Sequence, residues 1–375
     1  MVIGVLKERA PETRVSLVPE VVAALVKMNV TVWVESGAGN NAFHNDKAYT
    51  DAGAHIKDSA SIQSGADLVL SMNAENLSDS LKAGANVLGV YQPLFNASLM
   101  QRWAEKGYTV FSLDTIPRTT RAQAMDVLSS QANIAGYKAV LLAATEYSRY
   151  FPMFMTAAGS IAPAKMLILG AGVAGLQAIA TARRLGAVVE VFDTRPAVKE
   201  EVMSLGAKFV EVEGAADASK AGGYAVEQSE DFQRRQKDKI HEHAKKADII
   251  ISTAQIPGRK APILITEAMI NDMRPGSVIV DLAAVTGGNT DLTKNNETVM
   301  HNGVSIIGNS FLPMKMPADA SKLYSKNVLN FLKLIIDKEG NLNLNFEDDL
   351  VAGTCITHDG KITNERVVSA MTVNS

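Results

Sequence analysis

The chain has 375 residues, of which 47% are hydrophobic and 21% are charged, and its formal net charge is −3. This length can hold two domains of ordinary size, and the nearly balanced charge gives no support for nucleic-acid binding. The single cysteine, Cys355, excludes an intrachain disulfide and the usual cysteine-based zinc sites, so we expect a reducing compartment and no bound metal.

The first residues do not have the pattern of a secretory signal, because Lys7, Glu8 and Arg9 interrupt the apolar core that a signal requires. The uncharged stretch 166–182 is shorter than the ~20 apolar residues needed to cross a bilayer. We therefore expect a chain that does not span a membrane by itself but that could dock on a protein that does.

Strand-like and helix-like segments alternate from the N-terminus, as expected for a parallel α/β sheet. In this first unit a helix is predicted over 18–28, and a mostly helical, alanine-rich segment over 122–147 would lead to the next unit. The strands predicted for the first unit are 2–6, 30–34, 68–72, 85–90 and 108–112.

A second α/β unit follows the alanine-rich segment. Apolar residues at helical spacing predict a crossover helix over 198–205. A further helical segment, 318–337, would return the chain to the first unit, and 342–373 would form small strands and turns. The strands predicted for the second unit are 166–169, 188–192, 208–212, 248–253, 277–281 and 304–307.

These elements predict an α/β protein of two Rossmann-like, doubly wound parallel-sheet domains. Residues 1–128 together with 319–375 would form one domain, and residues 129–318 the other. Two crossings of the chain between the domains would create a cleft, which is the usual place for a ligand.

A polar segment follows the last strand of the first unit, where loops at the carboxyl ends of parallel strands collect ligands. Arg118 could pair with a phosphate or with Asp126, and Gln123 and Ser129 could hydrogen-bond a carboxamide. The same residues also fit the start of a helix, with Thr120 as the N-cap and Gln123 completing a capping box. The two interpretations are compatible.

Residues 167–193 read LILGAGVAGLQAIATARRLGAVVEVFD and carry the strongest signal of the chain. Gly170 permits a tight turn, Gly172 lets the backbone approach a pyrophosphate, and Gly175 lets a helix pack close to the sheet. The helix N-terminus directs N–H groups at the phosphates, and the carboxylate of Asp193 can accept both ribose hydroxyls. The segment predicts a dinucleotide site; a glycine-rich turn without a ligand would need all four residues to be accidents.

Residues 213–228 are rich in glycine, alanine and serine and show no periodicity. They predict a hinged flap with Tyr224 at its tip, although their composition fits a slack surface insertion equally well. The next segment, 230–246, is so highly charged that we expect a solvated helix with His241 and His243 on its surface.

The distribution of histidine bears on the chemistry, because none lies between His55 and His241. An enzyme that oxidises an alcohol, an amine or an amino acid moves a proton as well as a hydride and needs a positioned acid or base. Lysines such as Lys57 and Lys138 could supply one, so the pattern weakens this chemistry without excluding it. Transfer between two nicotinamides needs only the alignment of two rings.

Five blocks of the sequence are specific, namely IPRTTRAQAMDVLSSQANIAGYKAV, TAAGSIAPAKMLILGAGVAGLQAIATARRLGA, FDTRPAVKEEV, IPGRKAPILITEAMI and GSVIVDLAA. They resemble the NAD(H)-binding component of proton-translocating nicotinamide nucleotide transhydrogenase, called domain I, which forms the first portion of the alpha subunit. The resemblance covers nearly the whole chain. The opening, VIGVLKERAPETRVSLVPE, is shared with alanine dehydrogenases of the same superfamily.

This resemblance implies a homodimer of two α/β domains that binds NAD(H). It implies docking on a membrane proton-channel component and on a separate NADP(H)-binding component. Hydride would pass directly between the two nucleotides, coupled to proton translocation elsewhere in the complex. The location implied is cytoplasmic, at the periphery of the inner membrane.

The resemblance also implies roles for individual residues. Those of the nicotinamide-contacting loop are Arg118, Thr119, Thr120, Arg121, Gln123, Ala124, Met125, Asp126 and Ser129. Those of the phosphate and ribose sites are Gly170, Gly172, Val173, Ala174, Gly175, Asp193, Thr194 and Arg195. Beyond these, the flap carries Gly223 and Tyr224, the helix after it carries Gln236, and the adenine-side loop carries Gln255.

Within this set, Arg118, Asp126 and Ser129 would orient the carboxamide of NADH. Gln123 would lie where the two components meet, and Tyr224 would help the flap exclude water as it closes. The chain would be inactive alone, because the second nucleotide is held by a partner.

Two features depart from the family pattern or leave it ambiguous. At Gln228 and Gln255 the family more often has apolar residues. An arginine near the ribose, such as Arg195, can accommodate a 2′-phosphate, but Asp193 should repel that phosphate. We therefore expect NAD(H) rather than NADP(H).

Two other functions stay open. Alanine dehydrogenases resemble one another in having a lysine after the third strand and a histidine after the fourth, and residues 70–74 and 89–93 contain neither. Only Arg14 of that constellation has a counterpart, and it could instead form a structural ion pair with Glu12 or Glu20. A module that senses NAD(H) without chemistry is the third possibility.

Overall fold

The structure is a computed structural model, and it describes residues 1–78, 81–212, 214 and 229–373. The chain divides into two compact units, one formed by Met1–Gln131 with Met314–Ser375 and the other by Ala132–Pro313. The domain boundaries expected from the sequence, at 128/129 and 318/319, stay a prediction.

The strands of the described residues, in chain order, are β1 (Val2–Val5), β2 (Thr31–Glu35), β3 (His55–Lys57), β4 (Leu68–Leu70), β5 (Asn86–Gly89), β6 (Thr109–Ser112), β7 (Phe154–Thr156), β8 (Gly159–Ile161), β9 (Lys165–Leu169), β10 (Val188–Phe192), β11 (Lys208–Phe209), β12 (Ile249–Ser252), β13 (Val278–Asp281), β14 (Glu297–His301), β15 (Val304–Gly308), β16 (Cys355–His358) and β17 (Lys361–Ile362).

The α-helices of the same residues are α1 (Pro19–Val26), α2 (Asp46–Asp51), α3 (Ser59–Gly65), α4 (Ala97–Glu105), α5 (Val127–Glu146), α6 (Val173–Arg184), α7 (Lys199–Ser204), α8 (Glu230–Ala244), α9 (Glu267–Asn271), α10 (Pro317–Ile335), α11 (Asp349–Thr354) and α12 (Glu365–Val373). Among these described helices, none combines the length and the apolar composition needed to cross a bilayer.

The first unit is built on one sheet with the strand order β17-β16-β6-β5-β4-β1-β2-β3. The pairs from β3 to β6 are parallel, whereas β16 pairs antiparallel with both β6 and β17. Phe111 of β6 lies in one apolar cluster with Phe331, and its neighbour Val110 lies in another with Trp103. Because successive side chains of a strand point to opposite faces, both faces of this sheet are covered.

The second unit has a sheet with the order β11-β10-β9-β12-β13-β15-β14, in which only the β14 edge is antiparallel among the described strands. Ile168 of β9 packs in one apolar cluster, and its neighbours Leu167 and Leu169 pack in another. Helices therefore cover both faces here as well. Strands β7 and β8 form a separate two-stranded hairpin.

The fold class predicted from the sequence is confirmed, since parallel strands dominate both sheets. Three segments differ in detail. The helix expected over 122–147 begins only at Val127, after a 3₁₀ helix at Thr120–Met125. The strand expected over 208–212 ends at Phe209, and the residues expected to form small strands and turns near the C-terminus also form α11 and α12. Edge strands such as β14 carry mostly exposed side chains, which leaves no apolar pattern to detect.

The charged helix α8 is less solvated than its composition suggests. Phe232, Ile240 and His243 recur at helical spacing on its buried side, and the His243 Nδ1 atom lies 2.5 Å from Glu190 Oε2 on β10. The prediction of a surface position for His243 was wrong, because three buried positions suffice to anchor a helix that is otherwise charged. His241 lies beside Asp272 and is one-third exposed.

Candidate functional site

The three glycines after β9 have three different roles. Gly170 has a φ of +101°, which favours glycine. A Cβ atom at Gly175 would lie 1.9 Å from the carbonyl oxygen of Gly170, so only glycine allows this turn to close against α6. At Gly172 a Cβ would meet no heavy atom within 4 Å. The space beside Gly172 is therefore open, and neither packing nor a positive φ in this structure demands glycine there.

The N-terminus of α6 faces this open space. Gly172 is the N-cap residue and has no side chain to bond the first-turn N–H groups, and Val173 is exposed. Free N–H groups and the positive end of the helix dipole together form a binding site for a phosphate. The carbonyl of Ala174 is backed by α5, since a Cβ at Gly136 would lie 2.1 Å from that oxygen.

Asp193 ends β10 beside the glycine turn and is almost fully buried. Its carboxylate accepts a hydrogen bond of 2.7 Å from the backbone N–H of Ala171 and one of 2.8 Å from that of Arg195. The Arg195 guanidinium adds two more, Nε to Oδ1 at 2.9 Å and Nη2 to Oδ2 at 2.7 Å. These hydrogen bonds with Asp193 raise the pKa of Arg195. Thr194, between the two, is half-buried.

The loop after β12 is fixed to the glycine turn by residues that sequence reasoning missed. The hydroxyl of Thr253 donates to the carbonyl of Gly170 at 3.1 Å. The fully buried Asn289 accepts from the N–H of Ala254 and donates to its carbonyl, at 3.1 and 2.8 Å. Asp281, also buried, accepts from the N–H of Asn289 at 2.6 Å. A polar asparagine just after a pair of glycines and near an apolar strand was the available signal.

Gln255 extends from that loop, is exposed, and donates to the carbonyl of Leu282 at 3.0 Å. Gln236 is half-buried on α8. The other predicted residues of this region, Gly223, Tyr224 and Gln228, lie outside the described residues.

In the first unit, the polar segment after β6 forms the 3₁₀ helix Thr120–Met125. Two side chains anchor it, since Ala122 is 2% and Met125 is 7% exposed. The side chains directed to solvent belong to Arg118, Thr119, Thr120, Arg121, Gln123 and Ala124. Folding thus presents polar side chains on two apolar anchors, and we call residues 118–129 the strip.

Asp126 closes the strip and begins α5. Its Oδ1 atom accepts from the N–H of Ser129 at 2.9 Å and its Oδ2 atom accepts from the Ser129 hydroxyl at 2.6 Å. This is the geometry of an N-cap, so the capping box expected for Thr120 and Gln123 was wrong. The N-cap of the 3₁₀ helix is Thr119, and its side chain makes no capping bond. The local competition was won by the residue whose carboxylate can reach the N3 position of the longer helix.

Arg121 has a partner at the start of α11. Its guanidinium donates to Asp348 at 2.5 and 2.9 Å and also pairs with Asp349. The hydrogen bonds with Asp348 raise the pKa of Arg121, and the same contact lowers the pKa of Asp348. The arginine thus fixes one end of the strip to α11 while it remains half-exposed.

The region where an alanine dehydrogenase would need its substrate residues is occupied by internal contacts. Arg14 donates to Glu12 through Nε at 2.8 Å and Nη2 at 2.6 Å, and through Nη1 to Gln131 at 2.8 Å. The structural ion pair with Glu12 is therefore confirmed. The buried Glu8 accepts from the N–H of Met72 at 2.7 Å, and burial raises its pKa to about 7.

Family models and relatives agree with this architecture. Models of the alanine dehydrogenase/PNT N-terminal and C-terminal domains match residues 4–135 and 139–365. The first of the two chains that make up the NAD(P) transhydrogenase alpha subunit of Rhodospirillum rubrum is 46% identical, over 97% of this chain and 98% of its own length. The crystal structure of a transhydrogenase from Sinorhizobium meliloti is 43% identical, with a TM-score of 0.87 over 96% of this chain and 100% of that one.

A more distant relative is the alanine dehydrogenase of Staphylococcus saprophyticus, which is 27% identical over 100% of this chain and 98% of its own length. Membership of the family supports NAD(H) binding by this chain. From the two matching family models, and from relatives that match over almost the full length, the chain belongs to the alanine dehydrogenase/PNT family.

Proposed function

We propose that this chain is the NAD(H)-binding component of an NAD(P) transhydrogenase, and that it passes hydride between NADH and NADP⁺ held by a separate component. Its 46% identity to a transhydrogenase alpha subunit, against 27% to an alanine dehydrogenase, supports this assignment. The observation that carries the proposal is the open space at Gly172, at the start of α6. A pyrophosphate would fill that space and accept from the N–H groups there.

The chemistry demands alignment rather than acid or base catalysis. When bound, NADH supplies a hydride from C4 of its dihydronicotinamide ring, so that one C–H bond breaks, one forms at C4 of the nicotinamide of NADP⁺, and no proton is released. The chain therefore has to hold one ring and to exclude water. We assign the orientation of the carboxamide to Arg118, Asp126 and Ser129, and the contact with the NADP(H)-binding component to Gln123. The role of Tyr224 in closing the flap stays a prediction.

Asp193 supports the choice of NAD(H) over NADP(H). Its buried carboxylate lies 2.7 Å from the N–H of Ala171 within the glycine turn, so it is fixed where an adenosine ribose would bind. A carboxylate accepts ribose hydroxyls and repels a 2′-phosphate. Thr194 and Arg195 belong to the same proposed ribose site.

The second candidate, an alanine dehydrogenase, is disfavoured by Arg14. An arginine that binds a substrate carboxylate needs its guanidinium fork directed at the substrate, and here Glu12 and Gln131 already occupy that fork. Residues 70–74 and 89–93 also supply no lysine or histidine. Turnover of alanine or pyruvate by the pure chain would reverse this ranking.

We also propose a homodimer that docks on the NADP(H)-binding component and on a membrane proton channel, at the cytoplasmic periphery of the inner membrane. The β7–β8 hairpin supports the homodimer. Met155 is 77% exposed and Met153 is 62% exposed, with Tyr150 and Phe154 exposed beside them. Contiguous apolar side chains on a separate hairpin are typical of a surface that another chain covers.

Mixing the purified chain with an NADP(H)-binding transhydrogenase component, NADPH and an oxidised NAD analogue tests the activity. We expect hydride exchange that requires both proteins, and an Arg118→Ala variant should exchange about 10-fold more slowly or worse because the ring is no longer held. Arg102→Ala, which removes an exposed arginine from α4, is the matched control and should exchange at the wild-type rate. Tight NADH binding without exchange would instead indicate a sensing module.

A further inference from the structure

The strip is held from behind by two asparagines of α10. The Nδ2 atom of Asn327 donates to the carbonyl oxygen of Ala124 at 2.9 Å, and that of Asn330 donates to the same oxygen at 3.1 Å. Asn327 also accepts, through Oδ1, from the hydroxyl of Ser130 at 2.7 Å. One buried side chain, 8% exposed, thus contacts residues on both sides of the Asp126 cap.

These contacts bracket the residues that we assign to nicotinamide orientation. Ala124 directly follows Gln123, and Ser130 directly follows Ser129. Between them, Asp126 bonds Ser129 internally through two hydrogen bonds. The internal bonds fix the shape of the turn, whereas the bonds from Asn327 fix the position of that turn relative to α10.

Helix α10 is a rigid support for this purpose. Tyr324, Val328 and Phe331 lie in the main apolar cluster of the first unit. The hydroxyls of Ser321 and Ser325 accept from backbone N–H groups of the first unit at 3.0 and 2.9 Å. A helix fixed by both packing and hydrogen bonds can transmit its position to the strip through a single amide.

The choice of residue also needs an explanation. Asparagine is a weak helix former, since its side chain competes for backbone groups. Two asparagines at i and i+3 lie on one face of a helix. Their shared acceptor, the carbonyl at the end of a 3₁₀ helix, is a group that such a helix leaves without an internal donor. Local helix propensity is thus given up in favour of a contact to the strip.

We propose that Asn327, assisted by Asn330, is a positioning residue for hydride transfer: it sets the placement of Gln123, Asp126 and Ser129 without touching the nucleotide. This inference rests on the proposed transhydrogenase function. A misplacement of about 1 Å in a reacting geometry can cost about 100-fold in rate. The glycine turn and Asp193 belong to the other unit, so nucleotide affinity should change little.

The test compares Asn327→Ala, Asn327→Asp and Asn330→Ala with the wild type in reconstituted hydride exchange and in NADH titrations. Asn327→Asp retains an acceptor for Ser130 and loses the donor to Ala124. We expect exchange to fall about 10- to 100-fold in Asn327→Ala and less in the other two, with the Kd for NADH within about 3-fold of the wild type.

Asn86→Ala is the matched control. The Asn86 side chain also donates to a backbone carbonyl, that of Asp67 at 2.9 Å, but it lies at the amino end of β5, the edge of the sheet opposite the strip. It should lose stability without losing exchange rate when both are measured well below the midpoint of unfolding. A rate loss as large in Asn86→Ala as in Asn327→Ala would mean that general loosening is responsible, and it would overturn the positioning role.

Other outcomes also decide the matter. Wild-type rates in all three strip variants would overturn the positioning role alone, while the proposed function stands. If Asn327→Ala does not fold, Asn330→Ala, whose side chain is only half-buried, decides by the same criteria. Absence of exchange in the wild type would overturn the proposed function, and the positioning role with it.

Discussion

Arg195 holds the carboxylate of Asp193 in a two-pronged contact, with Nε 2.9 Å from Oδ1 and Nη2 2.7 Å from Oδ2. Together with the N–H groups of Ala171 and Arg195, four donors meet this one carboxylate. A ribose that donates to Asp193 must therefore displace part of the arginine contact. The released guanidinium lies two residues from the proposed ribose site.

This relationship predicts a change of coenzyme preference in Asp193→Ala. Loss of the charged acceptor should weaken NADH binding about 10-fold or more, and the freed Arg195 could then meet a 2′-phosphate. Titrations with NADH and NADPH should show the ratio of the two Kd values moving toward NADPH. In Asp193→Ala/Arg195→Ala the gain for NADPH should disappear. Unchanged discrimination in the single variant would contradict the role of Asp193.

A second prediction concerns Gly136, where α5 touches the first turn of α6. A Cβ there would lie 2.1 Å from the carbonyl oxygen of Ala174, so Gly136→Ala should destabilise the protein by about 1–3 kcal/mol through overpacking. Because the displaced turn carries the proposed phosphate site, NADH affinity should fall as well. Denaturant unfolding and NADH titration measure the two effects. Asn133→Ala, which removes only an exposed hydrogen bond to Gln177 from the same helix, should change neither.

The buried Glu8 predicts an unusual pH dependence of stability. Burial raises its pKa from 4.5 to about 7 in the folded protein, so the folded state binds the proton more tightly than the unfolded one. The corresponding contribution, about 3 kcal/mol, is complete below pH ~4.5 and is lost as the pH rises through ~7. Urea unfolding between pH 5 and 8 should show this slope. Glu8→Gln should flatten it, and an equal slope in both proteins would refute the assignment.

The exposed hairpin predicts the outcome of a charge insertion. Met155→Glu places a carboxylate in the apolar surface that we assign to the homodimer, where an unpaired charge is costly to bury. Sedimentation should show a shift from dimer to monomer. Met300→Glu, at an equally exposed methionine on β14, should leave the dimer intact. A dimer that tolerates Met155→Glu would exclude the hairpin as the interface.

Sequence reasoning predicted the main strands well, because apolar strands of a doubly wound sheet are continuous runs such as Ile249–Ser252. It placed the helix start wrongly, because Thr120 and Asp126 both precede plausible helices and only the folded chain decides which one caps. It also missed the buried pair of His243 and Glu190, since the two residues are 53 positions apart in the sequence.

The candidate site shows the same division. The glycine turn and Asp193 could be predicted because local spacing carries their roles. Arg195 as the partner of Asp193, and Asn327 as the support of the strip, could not. The first depends on side-chain conformation, and the second joins residues 203 positions apart. Contacts over such distances leave no periodic trace in a single sequence.

The central claim, that a dinucleotide lies against the glycine turn, is tested most directly by titrating Gly172→Ala with NADH. The added methyl meets no protein atom within 4 Å and the φ of −76° suits alanine, so the free energy of unfolding should stay within about 0.5 kcal/mol of the wild type. NADH affinity should fall at least about 10-fold, because the methyl occupies the proposed pyrophosphate position. Wild-type affinity in this variant would contradict the account.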